Sequence, residues 1–183
     1  MRRSIIVWVI LIVASLLNSC RNAPEQNQNN EKPAANNIIQ QEDGTIALNL
    51  DKAECYSDMT HPSSNTAEWN VVVSKSGLYN VWLSSATKDT VKLHYDNSVR
   101  LNILETRLEA LPGCDKVIYN SKDVSYPYFR ADSFMGSLYI QDTGIYNIQV
   151  ISDKILPKDY KSDESSVNEY TKLLSVVLTP TSR

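Results

Sequence analysis

The densest run of side chains able to hold a small polar ligand is YNSKDVSYPYFR, residues 119–130. Tyr119, Tyr126, Tyr128 and Phe129 offer flat rings that can stack on the C–H faces of sugars. Asn120, Lys122, Asp123 and Arg130 can bond hydroxyl groups beside them. The same mixture serves protein contacts, where Tyr and Arg are common anchors. Burial against the edge of a core is the competing use of such rings. His61, in a loop ahead of a strand signal, joins this group as a candidate contact if Cys55 and Cys114 pair and draw the two loops together. Trp82 has opposite parity to Tyr79, Val81 and Leu83, so it is either displayed on a sheet face or covered. Its apolar neighbours favour burial.

Catalytic chemistry finds little to work with. His61 and His94 are the chain's two histidines. His94 faces away from the apolar row of Leu93 and reads as a surface residue. There is no nucleophile elbow, phosphate loop or His-Glu-x-x-His pattern. Asp58, Asp115, Asp123 and Asp132 read as ordinary loop acids, since glycoside hydrolysis needs two carboxylates flanking a cleft at a set distance. The expectation is no catalytic residue and no enzyme. No Cys-x-x-Cys occurs and neither histidine sits at ligand spacing with a cysteine, so no metal site is expected.

Three cysteines occur. Cys55 and Cys114 form an even pair in an exported chain, where a disulfide is chemically permitted and is the expected state, although geometry decides it. Cys20 has a different role. Arg2 and Arg3 precede an apolar run over residues 5–17, too short for a membrane span and suited to an export signal. The run ends in Leu-Asn-Ser-Cys at 17–20, which resembles the lipobox of bacterial lipoproteins. That resemblance implies cleavage after residue 19, lipidation of Cys20, palmitate among its acyl chains, and anchoring stabilised by about 0.8 kcal/mol per buried CH₂. Arg21 in place of Asp implies the outer membrane rather than the inner one.

The elements that position these residues come in three parts. Residues 1–19 are the signal. Residues 20–41, rich in Asn, Gln, Pro and Ala, read as a tether with too little apolar surface to offset the entropy of ordering. Residues 42–183 are the globular part, long enough for one core. Removing the signal takes away two arginines and no acid, so the formal charge of −3 becomes −5. No basic stripe appears, which argues against nucleic acid as a partner.

Within residues 42–183 the apolar period is two and helical periods scarcely occur. Alternating rows are Ile46/Leu48/Leu50, Trp69/Val71/Val73, Tyr79/Val81/Leu83, Val91/Leu93/Tyr95, Val99/Leu101/Ile103, Val117/Tyr119, Tyr146/Ile148/Val150 and Leu174/Val176/Leu178. A strand over 137–141 also follows Gly136. Such alternation buries one face of each sheet, so two antiparallel sheets must cover each other as an all-β sandwich, a jelly-roll by strand number. Residues 107–130 read as a long irregular segment, and residues 156–171 as a polar loop with one helical turn near 167–170.

The phrase WNVVVSKSGLYNVWL at 69–83 resembles the W-x-V-x-V-x-x-x-G-x-Y-x-V-x-L of galactose-binding-like sandwiches, the group that includes carbohydrate-binding modules. GIYNIQV at 144–150 and LLSVVLTP at 173–180 resemble later strands of the same group. The resemblance implies that fold, and a structural calcium held by acids near the first strand, where Glu42, Asp43, Asp51 and Glu54 stand. It also implies a glycan ligand. The resulting expectation is a non-catalytic, glycan-binding lipoprotein of the outer membrane. The alternative is a structural protein of a cell-envelope complex that docks a protein partner through the same loop. A hydrolase is the third and weakest reading.

Overall fold

A computed structural model describes residues 37–58, 60–156 and 170–181. The signal, Cys20 and most of the tether lie outside the described residues, as does most of the expected helical turn near 167–170.

Eleven strands are found among the described residues: β1 (Ile38–Ile39), β2 (Ile46–Asn49), β3 (Glu54–Tyr56), β4 (Thr66–Val73), β5 (Gly77–Thr87), β6 (Val99–Ile103), β7 (Thr106–Ala110), β8 (Lys116–Ile118), β9 (Phe129–Ile140), β10 (Gly144–Ile151) and β11 (Thr171–Pro180). They form an antiparallel β-sandwich of the jelly-roll kind. The first sheet runs β1-β4-β10-β6-β7, with β3 also on β4; the second runs β2-β11-β5-β9-β8. The one parallel pairing among them is β1 with β4. From β4 onward the chain passes repeatedly between the sheets, so neighbours in space are often distant in sequence.

The apolar rows make the core. Trp69, Val71, Val73, Tyr79, Val81, Leu83, Val99, Leu101, Ile103, Ile148 and Val150 are all buried between the sheets. Each fully buried side chain of this size contributes about 1.5–3 kcal/mol relative to exposure. Polar groups drawn inward are paired. Trp69 Nε1 donates to the Asn49 carbonyl at 2.9 Å, and Ser85 shares a hydrogen bond with the Tyr95 hydroxyl at 2.9 Å. Burial drives the Tyr95 hydroxyl's pKa up, which keeps it neutral.

Four features depart from the sequence reading. The sandwich begins before residue 42: Ile38 pairs with Val71, and Gln40 is buried. Its amide oxygen accepts from the backbone N–H groups of Ser74 and Lys75 at 2.8 and 2.7 Å. Its Nε2 donates to the Gly44 carbonyl and the Tyr79 hydroxyl, each at 2.7 Å. A single polar side chain thus ties the chain's entry to the β4–β5 turn, a contact no apolar pattern announces.

The row Val91/Leu93/Tyr95 is not a strand. Leu93 and Tyr95 are buried as plugs from an irregular segment, while Val91 is 85% exposed. Residues 107–130 are more regular than their sequence suggests. They contain most of β7, whose Arg107 and Glu109 face solvent, and the start of β9; the expected short strand at 117–119 is β8. On β11 the buried residue is Leu173 rather than Leu174, because the register with β5 shifts between Leu173 and Ser175. A bulge adds one residue and reverses the parity of everything before it.

The sandwich has two unlike ends. Short connections at one end join β1 to β2, β4 to β5, β6 to β7 and β9 to β10. The other end receives, among the described residues, the longer segments at 60–65, 88–98, 111–115 and 119–128 and the start of another at 152–156. One hydrogen bond there runs from β11 of the second sheet, Leu173 N–H to the Lys154 carbonyl at 3.3 Å, to the segment after β10 of the first; Asn65 Nδ2 to the Ile155 carbonyl at 2.8 Å ties that segment to the start of β4.

Candidate functional site

The aromatic run at 119–130 is split by the pleat of β9. Successive side chains on a strand point to opposite faces. Phe129 lies on the inner side of β9, in register with buried Thr87, and Tyr119 meets it edge-on with ring centroids 5.4 Å apart. Arg130, the next residue, lies on the outer side. Tyr128 shares that side, with the ammonium groups of Lys88 and Lys172 at 5.1 and 5.3 Å from its ring centre. Tyr126 stands 90% exposed beside the cis Tyr126–Pro127 peptide. His61 is not brought to them by any contact described. Its ring meets Asp58 at 3.2 Å and Thr60 at 3.0 Å. Hydrogen bonds from Thr60, then His61, hold the Asp58 carboxyl down to about 2.

Arg130 organises the outer face. Its Nη1 donates to Asp123 at 2.7 Å, and its Nε and Nη2 donate to the two oxygens of Asp132 at 2.8 and 3.2 Å. Ser84, opposite Asp132 on β5, donates to the same carboxylate at 2.8 Å. The hydrogen bond to Asp132 is the largest cause raising the guanidinium's pKa, and the bond from Arg130 is the largest lowering that of Asp123. Four side chains are thereby held as a fixed array of donors and acceptors. Asp123 and Asp132 are not ordinary loop acids, as their sequence positions suggested. Asp132 lies within β9, and Asp123 is drawn from its loop to the β9 guanidinium.

One row along the sheet lies a pair that the sequence did not bring together. Trp82 and Phe134 are opposite each other on β5 and β9, with ring centroids 5.2 Å apart and planes at 52°. Trp82 is therefore on the outer face and half-exposed, not buried in a second layer; Phe134 is exposed. Val177 and Ala47 continue the same row across β11 and β2. A groove of about 830 Å³ opens beside it, lined in part by Asn49, Ser84, Arg130, Ser175 and Val177. It exists because β2 stops at Asn49 while β11 continues to Thr171 without a neighbour on that edge.

Cys55 and Cys114 are not joined; each keeps its thiol. Cys55 sits on β3 in the first sheet, whereas Cys114 lies in the crossing from β7 to β8 and donates to the Thr90 carbonyl at 3.4 Å. Burial is the main cause raising the Cys114 pKa. The acids proposed for calcium are spread out. Asp43 accepts from Thr45 within its own turn, and Glu54 stands opposite Glu68 on the first sheet. Among the described residues, no group of three His, Cys, Asp or Glu side chains comes together to hold a metal.

The outer face thus combines exposed aromatic rings with a fixed polar array on one rigid sheet. No family model matches the chain, and no curated protein matches it. Among solved structures, it is similar to the α-L-fucosidase from Vibrio sp. strain EJY3, with a TM-score of 0.62 and 20% identity over 79% of this chain. What the two share is the fold. The chain spans 24% of that enzyme's length. Looser likenesses are to the Podospora anserina GH26-CBM35 β-(1,4)-mannanase (TM-score 0.46, 11% identity, 77% of this chain and 28% of that one). A third is to the CBM36-1 domain of a multidomain xylanase from the hindgut metagenome of Trinervitermes trinervoides (TM-score 0.41, 8% identity, 76% of this chain and 99% of that one).

Proposed function

We propose that the sandwich is a non-catalytic carbohydrate-binding domain, carried by a protein lipidated at Cys20 and anchored in the outer membrane. The observation that carries the reading is the outer-face Trp82–Phe134 pair, half-buried tryptophan against exposed phenylalanine, set one row from the Arg130–Asp132–Ser84 network. Rings displayed on a rigid strand pair can stack on the C–H faces of a sugar, and oriented charged groups nearby can bond its hydroxyls. Tyr128 and Tyr126 extend the aromatic surface toward the loop end. Tyr119, exposed but edge-on to Phe129, lies apart from this row, and His61 is held by Asp58 and Thr60 instead. The anchor rests on the N-terminal pattern, and it would present this face near a membrane surface.

The test is electrophoresis of the full chain through gels containing neutral and acidic polysaccharides, beside a Trp82→Ala/Phe134→Ala double variant. Retardation by at least one polysaccharide, lost in the variant, is expected. Retardation by none overturns glycan binding. Recovery of one stoichiometric envelope protein in its place would support the docking alternative. Retardation that survives the double variant removes this face as the site.

A further inference from the structure

We propose, building on that reading, that the ligand is an internal stretch of an extended polysaccharide chain laid along β5 and β9, not a chain end or a single sugar. Two hollows lie at opposite ends of the same strand pair. The first is the groove of about 830 Å³ beside Ser84 and Arg130. The second, about 550 Å³, is at the short-turn end and is lined in part by Lys75, Leu78, Tyr139 and Pro180. Both volumes fall in the range of ligand pockets, and both hollows are open to solvent.

Between the hollows the outer face alternates in chemistry from row to row. Ser84 and Asp132 form a polar row, Trp82 and Phe134 an aromatic one, Asn80 and Ser137 a polar one, Leu78 and Tyr139 an apolar one. Ser137 donates to Asn80 at 2.7 Å, which fixes the second polar row. Phe134, Ser137 and Tyr139 are exposed and Trp82 and Asn80 half-buried, so the rows from Trp82 to Leu78 are open, whereas Ser84 and Asp132 are buried beside Arg130. From Trp82 to Leu78 the open rows cover about 13 Å at the usual rise per strand residue, more than the width of one sugar ring, and a hollow lies beyond them at each end. A site for a chain end needs a closing wall; this face has aromatic and polar rows in succession and an opening at each end.

A bulge makes the track continuous. The register moves from Val81↔Gly136 to Trp82↔Phe134, leaving Met135 extra on β9. Phe134 and Tyr139 are an odd number of residues apart, so on a regular strand they would face opposite sides. The inserted residue puts both on the outer face.

The experiment takes whichever panel polysaccharide retards the full chain, fractionates its partial hydrolysate by size, and measures each fraction by calorimetry. Fragments long enough to bridge both hollows are expected to bind about 10-fold tighter than mono- or disaccharides. Tyr139→Ala should cut the affinity for long fragments several-fold and leave the disaccharide value unchanged. Equal molar affinity at every length, or a Tyr139→Ala effect independent of length, overturns the proposal while leaving glycan binding intact. If no polysaccharide is retained, the proposal falls together with the reading beneath it.

Discussion

Trp82 and Phe134 face each other across β5 and β9 with centroids 5.2 Å apart, and both rings are on the solvent side of the sheet. A tilted aromatic pair is favoured by about 0.5–1.5 kcal/mol beyond its buried area. Leaving it on a surface gives up part of the burial that each ring could gain. Each single variant, Trp82→Ala and Phe134→Ala, should lower polysaccharide affinity by about 10-fold, roughly 1.4 kcal/mol. Thermal unfolding followed on the same samples should show only a small shift, because neither ring is part of the core.

Arg130 bridges two carboxylates through different nitrogens, a geometry lysine cannot copy. Arg130→Lys should therefore behave as a disruptive change. It leaves Asp132, mostly covered by its neighbours, short of partners, and should cost about 1–3 kcal/mol in urea unfolding together with most of the affinity.

The same bridge predicts a pH dependence. The folded-state pKa of Asp123 is depressed by Arg130 below its ordinary value of 3.8. Its contribution is then complete above that value and is lost as pH falls through the lower, folded one. Affinity measured across an acid titration should hold to pH about 4 and fall below it. Loss already complete at pH 6 would show that another group controls binding.

Gln40→Ala removes an amide that satisfies groups on three segments. The backbone N–H groups of Ser74 and Lys75 lose their acceptor at once. Losing these partly buried bonds should cost about 1–2 kcal/mol, measured by denaturant midpoint, although the position lies in a stretch that composition alone assigns to a tether.

Gly136 has φ +123, and a Cβ there would stand 2.9 Å from Leu108 Cδ1. Gly136→Ala meets both a disfavoured backbone angle and a crowded neighbour. It should destabilise by about 1–3 kcal/mol and, by disturbing the bulge, weaken binding of long polysaccharide fragments more than short ones.

Cys20 lies outside the described residues, and its chemistry is tested in cells. Incorporation of a tagged palmitate analogue should label the wild-type chain, and Cys20→Ser should abolish the label and release the protein from membranes.

Much of the sandwich was legible in the residue order. The rows around Trp69, Tyr79, Val99 and Tyr146 needed only period-two alternation, because an antiparallel strand with one wet face must repeat at that period. Two kinds of feature escaped it. Val91, Leu93 and Tyr95 alternate like a strand, yet two of them plug the core from a loop, since burial asks only for apolar surface and not for a ladder. β7 and the start of β9 lacked a clear apolar row, because Arg107, Glu109 and Arg130 occupy outward positions there.

The candidate site was legible only in part. Of the residues in the 119–130 run, Arg130 and Tyr128 belong to the outer face on which the proposed site is built. Parity left Trp82 open to display on a sheet face, but its pairing with Phe134, like that of Ser84 with Asp132, was not foreseeable, since no spacing relates residue 82 to residue 134. Alternation by itself determined that this chain makes two sheets and which face of each regular strand is buried. Tertiary structure decided what shares the outer face. Strand pairing brings β5 beside β9 across a long intervening segment, and a single bulge at Met135 sets the facing of every residue beyond it. Such a bulge is stabilised by contacts across the sheets, with Leu108 against Gly136, and those contacts are not written in local sequence.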